Sequence, residues 1–228
     1  MTLLRNLAFY PLFYLGSIVC VTLAALAAVL PVGREWTRRG ADAWGRWHRW
    51  CRRHLLGIRL DVRGAPLKGA ALYAIKHEAF LEAIELPTLF ERPAVFAKQE
   101  LFDLPGWGVV ARSYGLIPVA RGEGARTLRL MLREAKARKD EDRPLVIFPE
   151  GTRVPHGQPA PLQAGFAGLY KMLRLPVVPV AVDTGPLYHR WLKRPGTARV
   201  VFGEPIPPGL PRDEAEARVV EAINALNP

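Results

Sequence analysis

Two short polar segments of this 228-residue chain carry side chains that could move a proton and hold an anion. Each follows an apolar run: KHEAFLE occupies residues 76–82, and FPEGTR occupies residues 148–153. A histidine oriented by a carboxylate can act as a general base towards a hydroxyl group. A turn of glycine, hydroxyl and guanidinium can bind phosphate through backbone and side-chain donors. Together the segments predict the transfer of a group onto an alcohol that carries a phosphate.

The spacing of His77 and Glu82 allows this base only in one local geometry. On one regular helix the two residues would lie about 140° apart. If His77 is the N-cap and the helix begins after it, Glu82 in the first turns can reach the imidazole and fix its tautomer. The alternatives are a structural histidine and a solvated carboxylate on the helix face. Glu78 and Glu85 compete for the orienting role.

The elements that must position these segments are short strands alternating with helices. Apolar runs predict strands at residues 71–75, 94–97, 115–120, 145–148, 177–182 and 199–202. Helical patterns cover residues 78–89, 124–138, 164–174 and 213–226. The alternation predicts an α/β fold, with a mixed, largely parallel sheet flanked by helices. Ligands of such sheets bind beyond the carboxyl ends of the strands, and His77, Arg121 and residues 150–153 all follow predicted strands.

These motifs, in their order along the chain, resemble those of the 1-acylglycerol-3-phosphate acyltransferase family over residues 70–182. The family's first motif is His, four residues and Asp; His77 and Glu82 match it with one extra methylene. Its second, an arginine that ends a strand begun by glycine, resembles GLIPVAR at residues 115–121. Pro-Glu-Gly-Thr-Arg stands in full at residues 149–153. The other similar segments are KQEL at 98–101, PGWG at 105–108 and VPV at 178–180.

The resemblance implies direct acyl transfer. His77 would remove the proton from the free hydroxyl of 1-acylglycerol 3-phosphate. That oxygen would attack the thioester of acyl-CoA or acyl-carrier protein, giving phosphatidate without a covalent acyl-enzyme. Glu82 would orient His77. No metal or other cofactor is expected, because the thioester is already activated and no His/Cys/Asp cluster has metal-ligand spacing.

The resemblance also implies which residues bind the substrate. Cationic and hydroxyl side chains would hold its phosphate together with the backbone of Gly151, and these side chains are Lys98, Arg121, Thr152 and Arg153. Glu150 would hold Arg121, Arg153 or the second hydroxyl of the substrate. A purely structural ion pair is the alternative role for Glu150.

The N-terminal part, residues 1–63, is expected to anchor the acyltransferase domain of residues 64–228 to a membrane. Residues 7–32 carry no charge and are long enough to cross a bilayer core as a helix. A cleaved signal peptide is the competing interpretation. Arginines follow the apolar segment, so the positive-inside bias places the body of the protein on the cytoplasmic face. A spanning helix and a hairpin within one leaflet both fit, and the resemblance favours the hairpin.

Residues 34–56 predict an amphipathic helix rich in tryptophan and arginine. Trp44, Trp47, Cys51 and Leu55 share one face, and most of the arginines lie away from it. Indole rings and guanidinium groups suit a helix at the level of the lipid headgroups. The alternative is a helix that docks its tryptophan face on the folded domain.

The net charge of +11 indicates an anionic partner, and the apolar N-terminus favours a membrane surface over nucleic acid. Two cysteines, Cys20 and Cys51, do not suit a disulfide framework. Neither they nor the two serines support an acyl-enzyme. A basic membrane-binding protein without activity is the non-enzymatic rival. Glycerol 3-phosphate and lyso-ornithine lipid stay open as acceptors, as do the acyl-chain preference and the oligomeric state.

Overall fold

The computed structural model describes residues 1–30, 33–120 and 124–228, without the side chain of Arg34. The strands of these residues are β1 (Ile58–Arg63), β2 (Leu72–Ile75), β3 (Ala94–Lys98), β4 (Ile117–Val119), β5 (Leu145–Ile147), β6 (Val177–Val182) and β7 (Gly196–Phe202). They form one sheet in the order β1-β7-β6-β2-β5-β3-β4. All neighbours run parallel except β6 and β7, so the predicted mixed, largely parallel sheet is confirmed.

Helices flank this sheet and form a hairpin at the N-terminus. In the described residues they are α1 (Thr2–Val29), α2 (Gly33–Cys51), α3 (Phe80–Leu89), α4 (Trp107–Tyr114), α5 (Gly124–Asp140), α6 (Ala164–Leu173) and α7 (Arg212–Ile223). A π-helical turn, Arg52–Leu56, continues α2, and a 3-10 turn, Gln99–Asp103, follows β3. Gly57 ends the π-turn in the left-handed conformation, at φ +72°.

The central strands are short and apolar because both of their faces are covered. Every residue of β2, β5 and β6 is buried. Helices α5, α6 and α7 cover one face through Met131, Phe166 and Val219. On the other face Leu86 of α3 packs in the cluster that contains Tyr73. Strands β6, β2, β5, β3 and β4 therefore end at one edge of the sheet, where the loops that follow them meet.

The sequence patterns do not predict β1 or α4. Strand β1 lies within residues 1–63, which were expected to anchor the chain, yet it pairs with β7 from Ile58 to Arg63. The sheet therefore begins before Gly64. Charged side chains occupy three of the six positions of β1, and its burial alternates only weakly, so its apolar pattern is faint.

Helices α1 and α2 pack against each other as an antiparallel pair. The Thr37 hydroxyl lies 3.4 Å from the carbonyl oxygen of Ala24, and the Trp44 indole donates to the Ser17 hydroxyl at 2.9 Å. Close approach depends on small residues, because a Cβ added to Gly40 would lie 2.7 Å from the Cβ of Ala24. The two helices thus form a hairpin with tight side-chain contacts.

The tryptophan face of α2 packs on protein, which corrects the expectation that it meets lipid headgroups. Cys51 is fully buried, and Trp44 and Trp47 pack against the cluster that holds Phe9 and Phe13 of α1. The expectation that the arginines of this segment meet lipid headgroups is also wrong for Arg52. Its side chain is buried, and its guanidinium bonds to a carboxylate of α3 that is described below.

Among the described residues, α1 is the one helix long and apolar enough to cross a membrane, judged by length and composition. Only 11% of its most apolar window is buried within the protein. Large apolar side chains are exposed from Leu3 to Val29. This uncovered surface is consistent with membrane association through α1.

Candidate active site

His77 and Glu82 form a hydrogen-bonded pair beyond the carboxyl end of β2. Nδ1 of His77 lies 2.9 Å from Oε1 of Glu82. His77 is not the N-cap, as the sequence suggested; Ala79 is, in an extended conformation, and α3 begins at Phe80. The extended residues before the helix turn the imidazole towards its first turn. Glu82, the third helical residue, can reach it there.

Backbone and hydroxyl donors fix the carboxylate of Glu82. Its Oε1 accepts the backbone N–H groups of Glu78 and Ala79 at 2.7 Å each. Its Oε2 accepts the hydroxyl of Thr184, also at 2.7 Å. An atom that already accepts two N–H groups serves as an acceptor for the imidazole as well, which assigns the proton to Nδ1 of His77. Nε2 then carries the lone pair that a base needs.

The ring of His77 is held but not enclosed. It stacks on Phe148, with ring centroids 4.2 Å apart. The His77 backbone N–H donates to Oε2 of Glu150 at 2.9 Å, and its carbonyl accepts the N–H of Val154 at 2.7 Å. The His77 side chain is 17% exposed, against 1% for Glu82. Nε2 has no hydrogen-bond partner in the part of the chain that the structure describes, so it can face a substrate.

The carboxylate of Glu150 faces the interior. Its side chain is fully buried, as is that of Lys76, whose Nζ lies 3.4 Å from Oε1. Lys76 also donates to the carbonyl of Gln158 at 2.9 Å and to Oδ1 of Asn224 at 2.7 Å. The three ammonium hydrogens therefore have three acceptors. Glu150 joins this buried ion pair to the backbone of His77, and its cationic partner is a lysine that the sequence reasoning did not consider.

The turn of residues 149–153 lies beside His77 and depends on its glycine. Gly151 has φ +70°, and a Cβ there would lie 2.7 Å from Cγ of Gln163. Thr152 and Arg153 follow it and are exposed. The guanidinium of Arg153 lies 4.1 Å from the ring centroid of Phe80, the first residue of α3. The turn thus presents a hydroxyl and a cation next to the helix that carries Glu82.

Lys98 lies at the same edge of the sheet, two strands away from His77. It is the last residue of β3 and is exposed. β3 pairs with β5, and β5 pairs with β2, all in parallel. Lys98 aligns with Val119 of β4, two residues before Arg121. Arg121 itself lies outside the described residues.

The two other acids near His77 have partners of their own. Oε1 of Glu78 lies 2.9 Å from Nδ1 of His156, and Oε2 of Glu78 accepts the N–H of Gly185 at 2.9 Å. Burial raises the pKa of the Glu78 carboxyl, although both of these hydrogen bonds oppose the rise. Because Glu78 is paired with His156, it does not orient His77.

Glu85, the second competitor, joins α3 to α2. Its Oε1 lies 2.9 Å from Nδ1 of His48 and 3.1 Å from Nε of Arg52. Burial alone would raise the pKa of Glu85, but the His48 hydrogen bond and the Arg52 charge outweigh it and lower that pKa to about 2. Burial lowers the pKa of His48, so the lasting positive charge beside Glu85 is that of Arg52.

Sequence reasoning missed the distant residues that support the pair. Thr184 bonds to Glu82 across 102 residues, and Asn224 bonds to Lys76 across 148. Neither stands in a motif, and no local spacing connects them to the site. In the part of the chain that the structure describes, no group of three or more His, Cys, Asp or Glu could hold a metal ion.

Comparison with known proteins gives a consistent result. A family model described as acyltransferase matches residues 59–183, a range that contains His77, Glu82 and the turn of residues 149–153. A 1-acyl-sn-glycerol-3-phosphate acyltransferase of Pseudomonas aeruginosa is 30% identical over 98% of this chain and 86% of its own. One of Helicobacter pylori is 31% identical over 56% of this chain and 54% of its own.

A solved structure shares the fold along nearly the whole chain. The crystal structure of the 1-acyl-sn-glycerophosphate (LPA) acyltransferase, PlsC, from Thermotoga maritima matches with a TM-score of 0.76. The match covers 99% of this chain and 95% of that one, at 22% sequence identity. The N-terminal hairpin and the sheet therefore belong to one shared architecture.

Proposed function

Because this chain is an enzyme of the acyltransferase family, we propose that it transfers an acyl chain to the free hydroxyl of 1-acylglycerol 3-phosphate, giving phosphatidate. The observation that carries the proposal is the His77–Glu82 pair, with the imidazole open to a substrate and the carboxylate buried. The names of the relatives from Pseudomonas aeruginosa and Helicobacter pylori support the choice of acceptor.

In the proposed mechanism His77 is the general base. Nε2 takes the proton of the acceptor hydroxyl while its oxygen attacks the carbonyl carbon of an acyl thioester. The C–S bond then breaks, and the leaving thiolate receives the proton from the imidazolium, so no acyl-enzyme forms. Glu82 holds the ring by Nδ1 and stabilises the imidazolium. Thr184 and the two backbone N–H groups keep Glu82 in place for this role.

The phosphate of the acceptor is proposed to bind beside this pair. Candidate donors are the side chains of Lys98, Arg121, Thr152 and Arg153. The backbone N–H of Gly151, which the sequence also offered, instead donates to the carbonyl of Phe148 at 3.0 Å. Arginine offers forked donors that match phosphate oxygens. The exposure of Lys98, Thr152 and Arg153 at the edge of the sheet that carries His77 supports this assignment.

Glu150 is proposed to position the backbone of His77 and not to contact the substrate. Its buried carboxylate and its bond to the His77 N–H favour the structural alternative that the sequence left open. We propose that it fixes the backbone from which the imidazole extends.

The donor is proposed to be acyl-CoA or acyl-carrier protein, as a co-substrate and not a resident cofactor. The thioester is activated by its own chemistry, so the mechanism needs no metal. The membrane association is proposed to be through α1, whose exposed apolar residues suit lipid. The arginines that follow α1 favour a catalytic domain on the cytoplasmic face, against an anionic lipid surface.

The test is acyl transfer by the full chain purified in detergent. Labelled acyl-CoA, and acyl-carrier protein in parallel, would be offered with 1-acylglycerol 3-phosphate, glycerol 3-phosphate or lyso-ornithine lipid. We expect phosphatidate from the first acceptor, and a loss of about 10³-fold in kcat for His77→Ala, the scale of a removed general base. His189→Ala, at an exposed histidine, is the matched control.

Each outcome of this assay decides a separate part of the proposal. Retained activity in a folded His77→Ala protein would exclude His77 as the base. Product from lyso-ornithine lipid or glycerol 3-phosphate alone would replace the acceptor and leave the base in place. No product from any acceptor with either donor would favour the membrane-binding alternative without activity.

A further inference from the structure

A cationic cavity lies between the base of the N-terminal hairpin and the sheet. Its volume is about 440 Å³. The walls come from the start of α1, the π-turn after α2 and the first residues of β1 and β7. The cationic and imidazole side chains in the lining are Arg5, Arg53, His54 and Arg59. Proline, glycine and threonine at 195–197 complete it.

The positive charge of this cavity is not balanced by acids. No aspartate or glutamate lines it within the described residues, and there Arg53 and Arg59 form no ion pair. The next acid along β1, Asp61, is engaged by Arg63 at 2.9 Å. Arg53, His54 and Arg59 are all exposed at the cavity. Three arginines without a counter-charge repel one another, and an anion would relieve that repulsion.

One of these cations is fixed in place by the backbone. Nη1 of Arg5 donates to the carbonyl of Leu56 at 2.9 Å. A Cβ on Gly57 would overlap that nitrogen, so the glycine leaves the room that the guanidinium occupies. The next residue of α1, Asn6, exchanges two hydrogen bonds with the backbone of Lys193, at 2.8 and 2.9 Å. The start of α1 is therefore anchored to the chain that leads into the cavity wall.

We propose that this cavity binds a phosphate group through Arg5, Arg53 and Arg59. Guanidinium groups present paired donors that match two phosphate oxygens, which a single ammonium does not. Thr197 adds a hydroxyl donor at the rim.

The cavity is distinct from the phosphate site proposed beside His77. Because β7 runs antiparallel to β6, its first residues lie at the edge where β6 and β2 end. In the strand order β1-β7-β6-β2, the cavity lies two to three strand spacings from β2, or about 9–14 Å. A long thioester donor carries phosphates far from its reacting carbonyl, and a membrane phospholipid carries one in its headgroup. Both sources present the same chemistry to these arginines.

The test is a binding measurement on the full chain in detergent, with two probes. Coenzyme A without an acyl group represents the donor, and dioctanoyl phosphatidylglycerol represents the lipid headgroup. The variant is Arg53→Gln/Arg59→Gln, and the matched control, Lys136→Gln/Lys171→Gln, removes the same charge from exposed positions on α5 and α6. A thermal midpoint for each protein verifies that it is folded.

We expect at least one probe to bind the wild type and to lose tenfold or more in affinity in the arginine variant, with the lysine control unchanged. Loss confined to coenzyme A assigns the cavity to the donor, and loss confined to the phospholipid assigns it to the membrane. Absence of binding by either probe, or equal weakening in the arginine variant and the lysine control, overturns the proposal. The measurement needs no turnover, so its result is independent of the proposed acyl transfer.

Discussion

Glu82 serves two purposes with one side chain. Its Oε1 accepts the N–H of the N-cap, Ala79, as a glutamate at the third helical position often does, and it also accepts Nδ1 of His77. The residue that starts α3 is therefore the residue that orients the imidazole.

At the residue scale, Thr184 is predicted to act on the reaction through Glu82. Thr184→Val removes the hydroxyl that donates to Oε2 at 2.7 Å and keeps the shape of the side chain. A hydrogen bond to a charged group contributes about 1.5–3 kcal/mol, so we expect kcat to fall about tenfold or more. The KM of either substrate should not change, because Thr184 is fully buried.

The conservative variant tests whether the hydroxyl itself is responsible. Thr184→Ser keeps a donor to Glu82 and should retain most of the wild-type kcat. Steady-state kinetics of the three proteins would measure both parameters. An equal loss of kcat in the serine and valine variants would contradict the prediction.

At the scale of elements, two glutamates connect the first two turns of α3 to other parts of the chain. Glu82 joins its first turn to His77, and Glu85 joins its next turn to His48 and Arg52 at the end of α2. The hairpin is thus connected by buried hydrogen bonds to the helix that carries Glu82. The N-terminal hairpin and α3 therefore form one packed unit.

Gly40→Leu is predicted to weaken this unit by separating α1 from α2. Leucine would favour the helix over glycine by roughly 0.8–1 kcal/mol through intrinsic propensity. Its Cβ would lie 2.7 Å from the Cβ and 3.3 Å from the Cα of Ala24, and α1 cannot yield without losing its other contacts. Overpacking costs about 1–3 kcal/mol, so we expect a net loss of stability and a lower thermal midpoint.

Arg46→Leu is the control for this experiment, since Arg46 is exposed on the same helix. Leucine there gains no clash with α1 and should leave the thermal midpoint close to that of the wild type. A higher midpoint for Gly40→Leu than for the wild type would show that propensity outweighs the close contact between the helices.

At the scale of the whole molecule, the buried Glu85 network predicts loss of stability in acid. The pKa of Glu85 is about 2 in the folded protein and 4.5 without its partners. Above pH 4.5 Glu85 makes its full contribution to the free energy of unfolding. That contribution, up to about 3 kcal/mol, is lost as the pH falls towards 2. His48 adds to the decline below pH 6.5, because its pKa is lowered and only the unfolded chain takes up the proton.

Chemical unfolding of the wild type in detergent, followed from pH 7 to pH 2, would measure this dependence. Glu85→Gln should be less stable than the wild type at pH 7, and its stability should change less between pH 4.5 and pH 2. Glu216→Gln, which removes the surface partner of Arg212, is the matched control. A wild type and a Glu85→Gln protein with parallel curves would refute the assignment.

The sequence by itself determined the features that depend on nearby residues. Apolar runs predicted the central strands, because β2, β5 and β6 are buried on both faces and need continuous apolar residues. The motifs favoured a contact between His77 and Glu82, but through a helix that begins after His77, whereas the N-cap is Ala79. No local pattern predicts the order of the strands. Because parallel strands end at the same edge of a sheet, however, the loops that follow them were expected at one edge.

Only the tertiary structure decided the contacts between distant parts of the chain. Thr184, Asn224 and Lys76 have no spacing that marks them, because the fold and not the chain brings them together. The tryptophan face of α2 suits lipid or protein equally well by composition, and the packing of α1 upon it made the choice. Local periodicity predicts that a face is apolar, but only the folded structure shows what covers that face.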